Sequence, residues 1–167
     1  HRGPEIYTIA MPDDPAVTAY VDSLRAGNLD WVRGALGRAA LYRGTIAALV
    51  ELHQVPFELL FLPVIESEYR PWAVSRSGAA GMWQFMANSI GGFDMRIDDM
   101  VDERRDFWKA SDAALRKLKG NYAYFGDWLL AIAAYNCGLG AVSRIIAATG
   151  IRDFWKLCVG GPAPTET

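Results

Sequence analysis

Apolar residues recur along this chain at steps of three and four positions, the spacing that places them on one face of an α-helix. The repeat is clear over residues 39–54, where a stripe facing a core would contain Leu41, Thr45, Ala48, Leu49 and Leu52. No segment alternates apolar and polar residues over a length that would predict a strand. The pattern therefore predicts an all-α domain.

Capping residues predict where the helices begin and end. Asp14 before Pro15 has the form of an N-cap followed by a first-turn proline, and it predicts a short helix that ends near Arg25. In the same way, Asp127 is expected to cap a very apolar helix that Gly138 ends. Two further helices are predicted to begin at Asn28 and at Ala39. Three more are predicted over residues 57–66, 106–119 and 141–149, and Pro63 is expected to kink or restart the first of these three.

Residues 69–101 show no helical period. They contain turn-forming residues at Pro71, Gly78, Gly81, Gly91 and Gly92. Long ordered loops are uncommon in compact domains, and they usually carry function. We therefore expect functional residues to concentrate in this loop.

Length and composition limit the remaining possibilities. At 167 residues, 51% of them hydrophobic, the chain can bury a core of its own as one domain. The formal net charge is −2 and the Lys and Arg residues are scattered, so the basic surface of a nucleic-acid-binding protein is missing. No apolar run approaches the ~20 residues of a transmembrane helix, so we expect no transmembrane segment in this fragment.

The cysteines and histidines are too few for several kinds of site. Cys137 and Cys158 cannot build a disulfide framework, and they lack the paired spacing of a zinc site. A Cys/His nucleophile would need a histidine partner, and His53 lies in a helical pattern typical of a structural residue. No phosphate-binding motif is present in the sequence. We therefore expect no metal and no cofactor.

One carboxyl group follows directly after an apolar run. Glu66 comes after residues 59–65, and desolvation in such surroundings raises the pKa of a carboxyl group toward neutrality. The residue is then either a tuned proton donor or one half of a buried ion pair, for which Arg70 and Arg76 are nearby cations. Both interpretations stay open on this evidence.

The residues after Glu66 are suited to binding a sugar. Gly81 allows the backbone to approach a ligand, and Gln84 offers both a donor and acceptor lone pairs to hydroxyl groups. Trp83 and Phe85 are more typical of core anchors than of sugar platforms.

Two polar residues, Tyr135 and Asn136, stand at the end of a predicted buried helix and need hydrogen-bond partners there. A Tyr135 hydroxyl directed at Glu66 would satisfy both groups. The charged segment 102–106 is better suited to ion pairing and to capping the next helix than to catalysis.

Together these motifs resemble the catalytic domain of the family 1 lytic transglycosylases, whose fold is related to that of goose-type lysozyme. The match is closest to the membrane-bound, D-type branch and rests on residues 62–67, 78–86, 101–106, 126–128 and 134–136. The resemblance implies a lysozyme-like helical domain with a long irregular substrate-groove loop. It would occupy residues 28–157, between an N-terminal extension with a short helix (1–27) and a C-terminal tail or linker start (158–167).

The resemblance also implies roles for individual residues. Glu66 would be the sole catalytic acid and base, supported by Ser75 and Tyr135. The residues expected to contact the glycan are Ser67, Gly81, Gln84, Met86 and Asn136.

The implied reaction cleaves the β-1,4 bond between N-acetylmuramic acid and N-acetylglucosamine in peptidoglycan without hydrolysis, and it leaves 1,6-anhydro-muramic acid ends. The implied location is the periplasm or cell envelope, and the full-length protein could carry an additional wall-binding module. Two alternatives stay open. One is a goose-type muramidase, whose second carboxylate would come from Asp94, Asp98, Asp99 or Asp102; the other is a catalytically silent glycan-binding module.

Overall fold

The structure, a computed structural model, describes residues 9–10 and 13–160. Within these residues the regular secondary structure is helical, and the prediction of an all-α, lysozyme-like fold is confirmed. The α-helices are α1 (Pro15–Ala26), α2 (Asp30–His53), α3 (Leu62–Ser67), α4 (Phe107–Phe125), α5 (Trp128–Cys137), α6 (Leu139–Thr149) and α7 (Phe154–Gly160). Short 3-10 helices occupy Phe57–Phe61, Ala87–Ser89 and Glu103–Arg105.

The chain divides into two compact units, with the boundary between Ala114 and Leu115 inside α4. The first unit begins with α1, whose predicted N-cap is confirmed. The Asp14 carboxylate accepts a hydrogen bond of 2.8 Å from the amide of Ala16, and Gly27 ends the helix.

Helix α2 is one continuous helix of 24 residues, so the predicted break before Ala39 is wrong. Of the predicted apolar stripe only Leu49 is buried, whereas Leu41 is 79% and Leu52 is 70% exposed. The buried face packs against α3 and the 3-10 helix before it, and it consists of Ala35, Ala39, Ile46, Leu49 and Val50. These positions continue across the expected break, and packing along one face holds the helix together there.

The apolar segment before Glu66 forms two helices. A 3-10 helix over Phe57–Phe61 leads into α3, and Pro63 lies in the first turn of α3, so the predicted restart is confirmed. One face of the segment is buried. On the other face Phe57 is 54% and Ile65 is 77% exposed, although the nearly continuous apolar sequence of residues 57–66 would predict a fully buried helix.

Residues 69–101 are irregular, as predicted, apart from the 3-10 helix Ala87–Ser89. The irregular segment continues to residue 106 and includes the 3-10 helix Glu103–Arg105. Antiparallel bridges from Ala80 to Val74 and to Phe85 fold part of this loop into a compact turn. Trp83 fixes the turn to the core of the first unit, because its ring is fully buried and its Nε1 donates to Ser111 Oγ at 2.7 Å.

The predicted helix that starts after Asp106 continues to Phe125, beyond the expected end at Lys119. It ends where Gly126 adopts a φ of 69°, a backbone conformation that favours glycine. The next predicted cap is confirmed, since the Asp127 carboxylate accepts a hydrogen bond of 2.9 Å from the amide of Leu130.

The second unit is built around a small apolar cluster. Helix α7, which the sequence analysis did not predict, places Phe154 and Leu157 against it. The buried members of the cluster are Phe125, Leu130, Ala134 and Val142.

Both cysteines are free thiols, and both are exposed.

The described helices include none that is long and apolar enough to cross a membrane by itself. By length and composition alone, α5 and α6 would meet that test as a pair bent by 119°.

Candidate active site

Glu66 lies one residue before the end of α3, and its side chain is half-buried. Burial raises the pKa of its carboxyl group to about 7, from an ordinary value of 4.5, because desolvation disfavours the charged form. Within residues 9–10 and 13–114, no cation pairs with this carboxylate; Arg70 pairs with Glu68 instead, at 3.0 Å. The interpretation of Glu66 as half of a salt bridge with Arg70 is therefore wrong, and a carboxyl group that exchanges its proton near neutrality is favoured.

The backbone turns sharply after α3. Glu68 and Tyr69 both have a positive φ, 51° and 61°, although neither is glycine. The Tyr69 ring is completely buried, and its hydroxyl donates to the carbonyl of Leu60 at 2.5 Å. Burial also raises the pKa of this hydroxyl to about 12, so Tyr69 stays neutral. This turn sets the direction in which the chain leaves the helix that carries Glu66.

Ser67 connects α3 to the loop. Its hydroxyl is buried, donates to the carbonyl of Met82 at 2.7 Å and accepts from the amide of Arg70 at 3.2 Å. These contacts fix the position of α3 against the Gly81–Gln84 turn. A direct contact of Ser67 with a glycan stays a prediction.

Gly81 occupies a position where only glycine fits. Its φ is 83°, and a Cβ atom added to it would lie 1.7 Å from the carbonyl oxygen of Arg104. Its amide donates to the carbonyl of Ala73 at 2.8 Å. The close backbone approach expected at this glycine is thus a contact with the protein's own chain, and a contact with substrate stays a prediction.

A buried arginine holds the loop together. The Arg104 guanidinium donates to the carbonyls of Gly78 and Phe85, at 2.9 and 3.1 Å, and forms two hydrogen bonds to the carboxylate of Asp102, at 2.9 and 2.7 Å. The hydrogen bond from Arg104 lowers the pKa of Asp102. The predicted pairing role of this segment is confirmed, as is the capping role of Asp106, whose carboxylate accepts from the amides of Trp108 and Lys109.

Gln84 is the last residue of the Gly81–Gln84 turn, and Met86 follows it. Gln84 has a φ of 53°, and its side-chain nitrogen donates to the carbonyl of Gly81 at 2.8 Å. Met86 is 38% exposed and can contact a ligand, whereas Trp83 and Phe85 are 0% and 2% exposed. The interpretation of these two aromatic residues as core anchors is confirmed.

The Ser75 hydroxyl has two partners in the loop. It accepts from the amide of Ala79 at 3.0 Å and lies 3.0 Å from the hydroxyl of Ser77. These contacts close the turn that leads to Gly78. Support of Glu66 by Ser75 stays a prediction.

Tyr135 and Asn136 belong to the second unit. Tyr135 is buried in α5, and the Lys117 ammonium lies 5.0 Å from the centre of its ring. Desolvation lowers the pKa of Lys117. Asn136 is exposed in the last turn of α5, where its amide is available to a ligand. The roles predicted for both residues stay predictions.

Arg38 and Arg104 were not predicted as individual residues from the sequence. Arg38 is an arginine within a long helix, where no local motif distinguishes it, and the charged segment around Arg104 indicated pairing without indicating which backbone groups it would bind. His53 was expected to be structural, and its Nε2 lies 2.7 Å from Asp112 in the first unit.

A family model for the transglycosylase SLT domain matches residues 45–158 of this chain. The chain belongs to the transglycosylase SLT domain family. The match includes α3 with Glu66, the loop up to Met86, and α5 with Tyr135.

Two curated relatives are similar to this chain. "Membrane-bound lytic murein transglycosylase D" of Escherichia coli strain K12 is 38% identical over 135 residues, which are 78% of this chain and 29% of that protein. "Putative tributyltin chloride resistance protein" of an Alteromonas species, strain M-1, is 36% identical over 120 residues, which are 71% of this chain and 57% of that protein. This chain therefore spans less than two thirds of the length of either relative.

Proposed function

We propose that this SLT domain cleaves the β-1,4 bond between N-acetylmuramic acid and N-acetylglucosamine in peptidoglycan by intramolecular transglycosylation, with Glu66 as its only general acid and base. The observation that carries the proposal is the half-buried Glu66 carboxyl. Its pKa of about 7 allows it to be protonated when it acts as an acid and ionised when it acts as a base. The family match and the name of the Escherichia coli relative support the substrate class.

In this reaction Glu66 first donates its proton to the glycosidic oxygen of the leaving sugar. The acetamido group of the substrate stabilises the positive charge that develops at the anomeric carbon. The Glu66 carboxylate then removes the proton from the muramoyl 6-hydroxyl, whose oxygen attacks that carbon and closes a 1,6-anhydro ring. The 6-hydroxyl has the advantage over water because it is already held close to the reacting carbon.

The contacts of the loop carboxylates favour this route over hydrolysis. An inverting hydrolase needs a second carboxylate that is available to activate water. Asp102 is instead paired with Arg104, and Asp98 is paired with Arg96 at 3.1 Å while it accepts hydrogen bonds from two backbone amides. Two of the four candidate bases therefore already have structural roles.

The test compares the parent with Glu66→Gln and Glu51→Gln on purified sacculi, in water labelled with ¹⁸O. We expect the parent to release chains that end in anhydro-muramic acid without incorporating label. Glu66→Gln should lose about 10²–10⁴-fold in rate, because the amide keeps the shape of the side chain but cannot donate the proton. Glu51 lies exposed on α2, so Glu51→Gln serves as the control and should match the parent.

Each alternative has its own outcome in this experiment. Reducing ends that carry the label would establish a muramidase. Binding to sacculi without release of any product would establish a glycan-binding module. A Glu66→Gln variant that works at the parent's rate would rule out Glu66 as the acid.

The proposal extends to the other predicted site residues and to location. Ser75 and Tyr135 are proposed to support the Glu66 carboxyl, and Tyr135→Phe should lower turnover more than it lowers binding. Ser67, Gly81, Gln84, Met86 and Asn136 are proposed to contact the glycan strand. The name of the Escherichia coli relative supports a cell-envelope location, and we propose the periplasm.

A further inference from the structure

The turn after α3 has a backbone conformation that is unusual for two consecutive residues with side chains. Glu68 and Tyr69 both have positive φ angles, 51° and 61°, which residues other than glycine rarely adopt. Such strain persists only where surrounding contacts hold it in place, and it concentrates at functional sites. This turn begins two residues after Glu66, so the contacts that hold it also fix the end of the helix that carries the proton donor.

Arg38 of α2 makes the contacts that hold this turn from outside. Its Nε donates to the backbone carbonyl of Glu68 at 2.8 Å, and its Nη2 donates to the carboxylate of the same residue at 3.0 Å. Arg70 approaches the same carboxylate oxygen at 3.0 Å. The arginine thus binds the strained backbone and the side chain of one residue together.

The chemistry of arginine suits this arrangement. A guanidinium group presents several donors in a fixed plane, so one side chain can bind a carbonyl and a carboxylate at once, which the single ammonium group of lysine does less well. The pair is partly shielded from water, since the side chain of Arg38 is 28% and that of Glu68 is 35% exposed. Arg38 also comes from a long helix that packs against α3, which gives the contact a rigid base.

We propose that Arg38 is a positioning residue for catalysis, which holds the left-handed turn at Glu68 and thereby the orientation of the Glu66 carboxyl. The proposal rests on the proposed function of Glu66. It assigns no contact between Arg38 and the substrate.

The experiment uses Arg38→Met, which keeps an unbranched apolar stem but removes the donors, with Arg38→Lys as a milder variant if the methionine variant folds poorly. Arg33→Met is the matched control, because Arg33 is an exposed arginine of the same helix whose ion pair is with Asp30 of its own turn. The readouts are kcat and KM on soluble glycan strands, and the NMR coupling constants that report φ at residues 68 and 69.

Arg38→Met is expected to lower kcat about ten- to hundredfold with little change in KM, because a small misplacement of a catalytic group has an effect of that size. The coupling constants should show that residue 68 leaves the left-handed region. Arg38→Lys should show smaller effects of both kinds, and Arg33→Met should show neither.

A double variant separates positioning from general stability. Adding Glu68→Gly to Arg38→Met should restore the positive φ and part of the lost kcat, because glycine adopts this conformation without strain. A folded Arg38→Met variant with parental kcat, or a loss of kcat without a change in φ at residue 68, would overturn the proposal. If the parent cleaves no glycan, the proposed function fails, whereas the coupling constants still decide whether Arg38 holds the turn.

Discussion

Glu66 is a residue whose environment favours chemistry over stability. Its carboxyl group is desolvated, and the first unit offers it no cation among its described residues, so the ionised form is disfavoured and the pKa rises to about 7. A group of this kind commonly lowers the stability of the folded protein while it serves activity. This loss of stability can be measured, because it depends on pH.

The sign follows from the two states of the chain. Below pH 4.5 the Glu66 carboxyl is neutral in both the folded and the unfolded chain, so its burial has no electrostatic cost. As the pH rises through about 7, the buried group ionises in the folded protein, and the stability that its neutral form allowed is lost. We therefore predict that Glu66→Gln has a higher Tm than the parent at about pH 8 and the same Tm at about pH 4.

Thermal unfolding of parent, Glu66→Gln and Glu51→Gln at both pH values would check this prediction. Glu51→Gln should follow the parent at each pH, because Glu51 is exposed. A Glu66→Gln variant with no gain in Tm at the higher pH would contradict the raised pKa.

Among the structural elements, the loop that follows α3 depends on a few backbone contacts. Gly78 and Gly81 both have a positive φ, 90° and 83°, but their surroundings differ. A Cβ atom at Gly81 would collide with the Arg104 carbonyl at 1.7 Å, whereas a Cβ atom at Gly78 would meet nothing within 4 Å. The two glycines therefore form a matched pair in which only one has a steric requirement.

We predict that Gly78→Ala lowers the free energy of unfolding by about 1–2 kcal/mol, the usual cost of a left-handed conformation for alanine. Gly81→Ala should cost roughly 3 kcal/mol or more, because the backbone of residue 104 must also move. Urea denaturation of both variants would measure the difference. Equal costs at the two positions would mean that the loop can shift away from Arg104, contrary to the fixed contact that we describe.

At the scale of the whole molecule, the C-terminal helix contributes to the core of the second unit. Phe154 and Leu157 of α7 pack on the cluster that contains Leu130 and Val142, and both lie at the end of the predicted catalytic domain, residues 28–157. The family match reaches residue 158, close to the same position. The residues of α7 that pack on this cluster therefore lie within the last few residues of the matched region.

Removing one aromatic side chain tests this contribution. Phe154→Ala should lower the free energy of unfolding by about 2 kcal/mol, less than for a fully buried phenylalanine, because this ring is half-buried. Lys156→Ala, an exposed position on the same helix, should change it by less than about 0.5 kcal/mol. A Phe154→Ala variant as stable as the parent in denaturant would show that the Phe154 ring contributes nothing to the stability of the second unit.

Features that depend on residues close together in the sequence could be predicted from the sequence alone. The caps at Asp14, Asp106 and Asp127 are local hydrogen bonds within a few residues, and the restart at Pro63 follows from the chemistry of proline. The expectation that Glu66 has a raised pKa depended on the apolar run just before it, which is also local. The resemblance to the family also rested on short local motifs, such as residues 62–67 and 78–86, and the family match confirms it.

Features that depend on distant residues were decided by tertiary structure. A period of three or four residues states that a helix has an apolar face, but only the packing against α3 shows that Ile46 is buried while Leu41 is exposed. The requirement for glycine at position 81 comes from a carbonyl 23 residues later, at Arg104, and the turn after Glu66 is held by Arg38, 30 residues before Glu68. The sequence alone thus indicated that the Glu66 carboxyl group is partly desolvated, because the residues just before it are apolar. Only the folded chain determined how that group is held, because contacts across such separations leave no local pattern in the sequence.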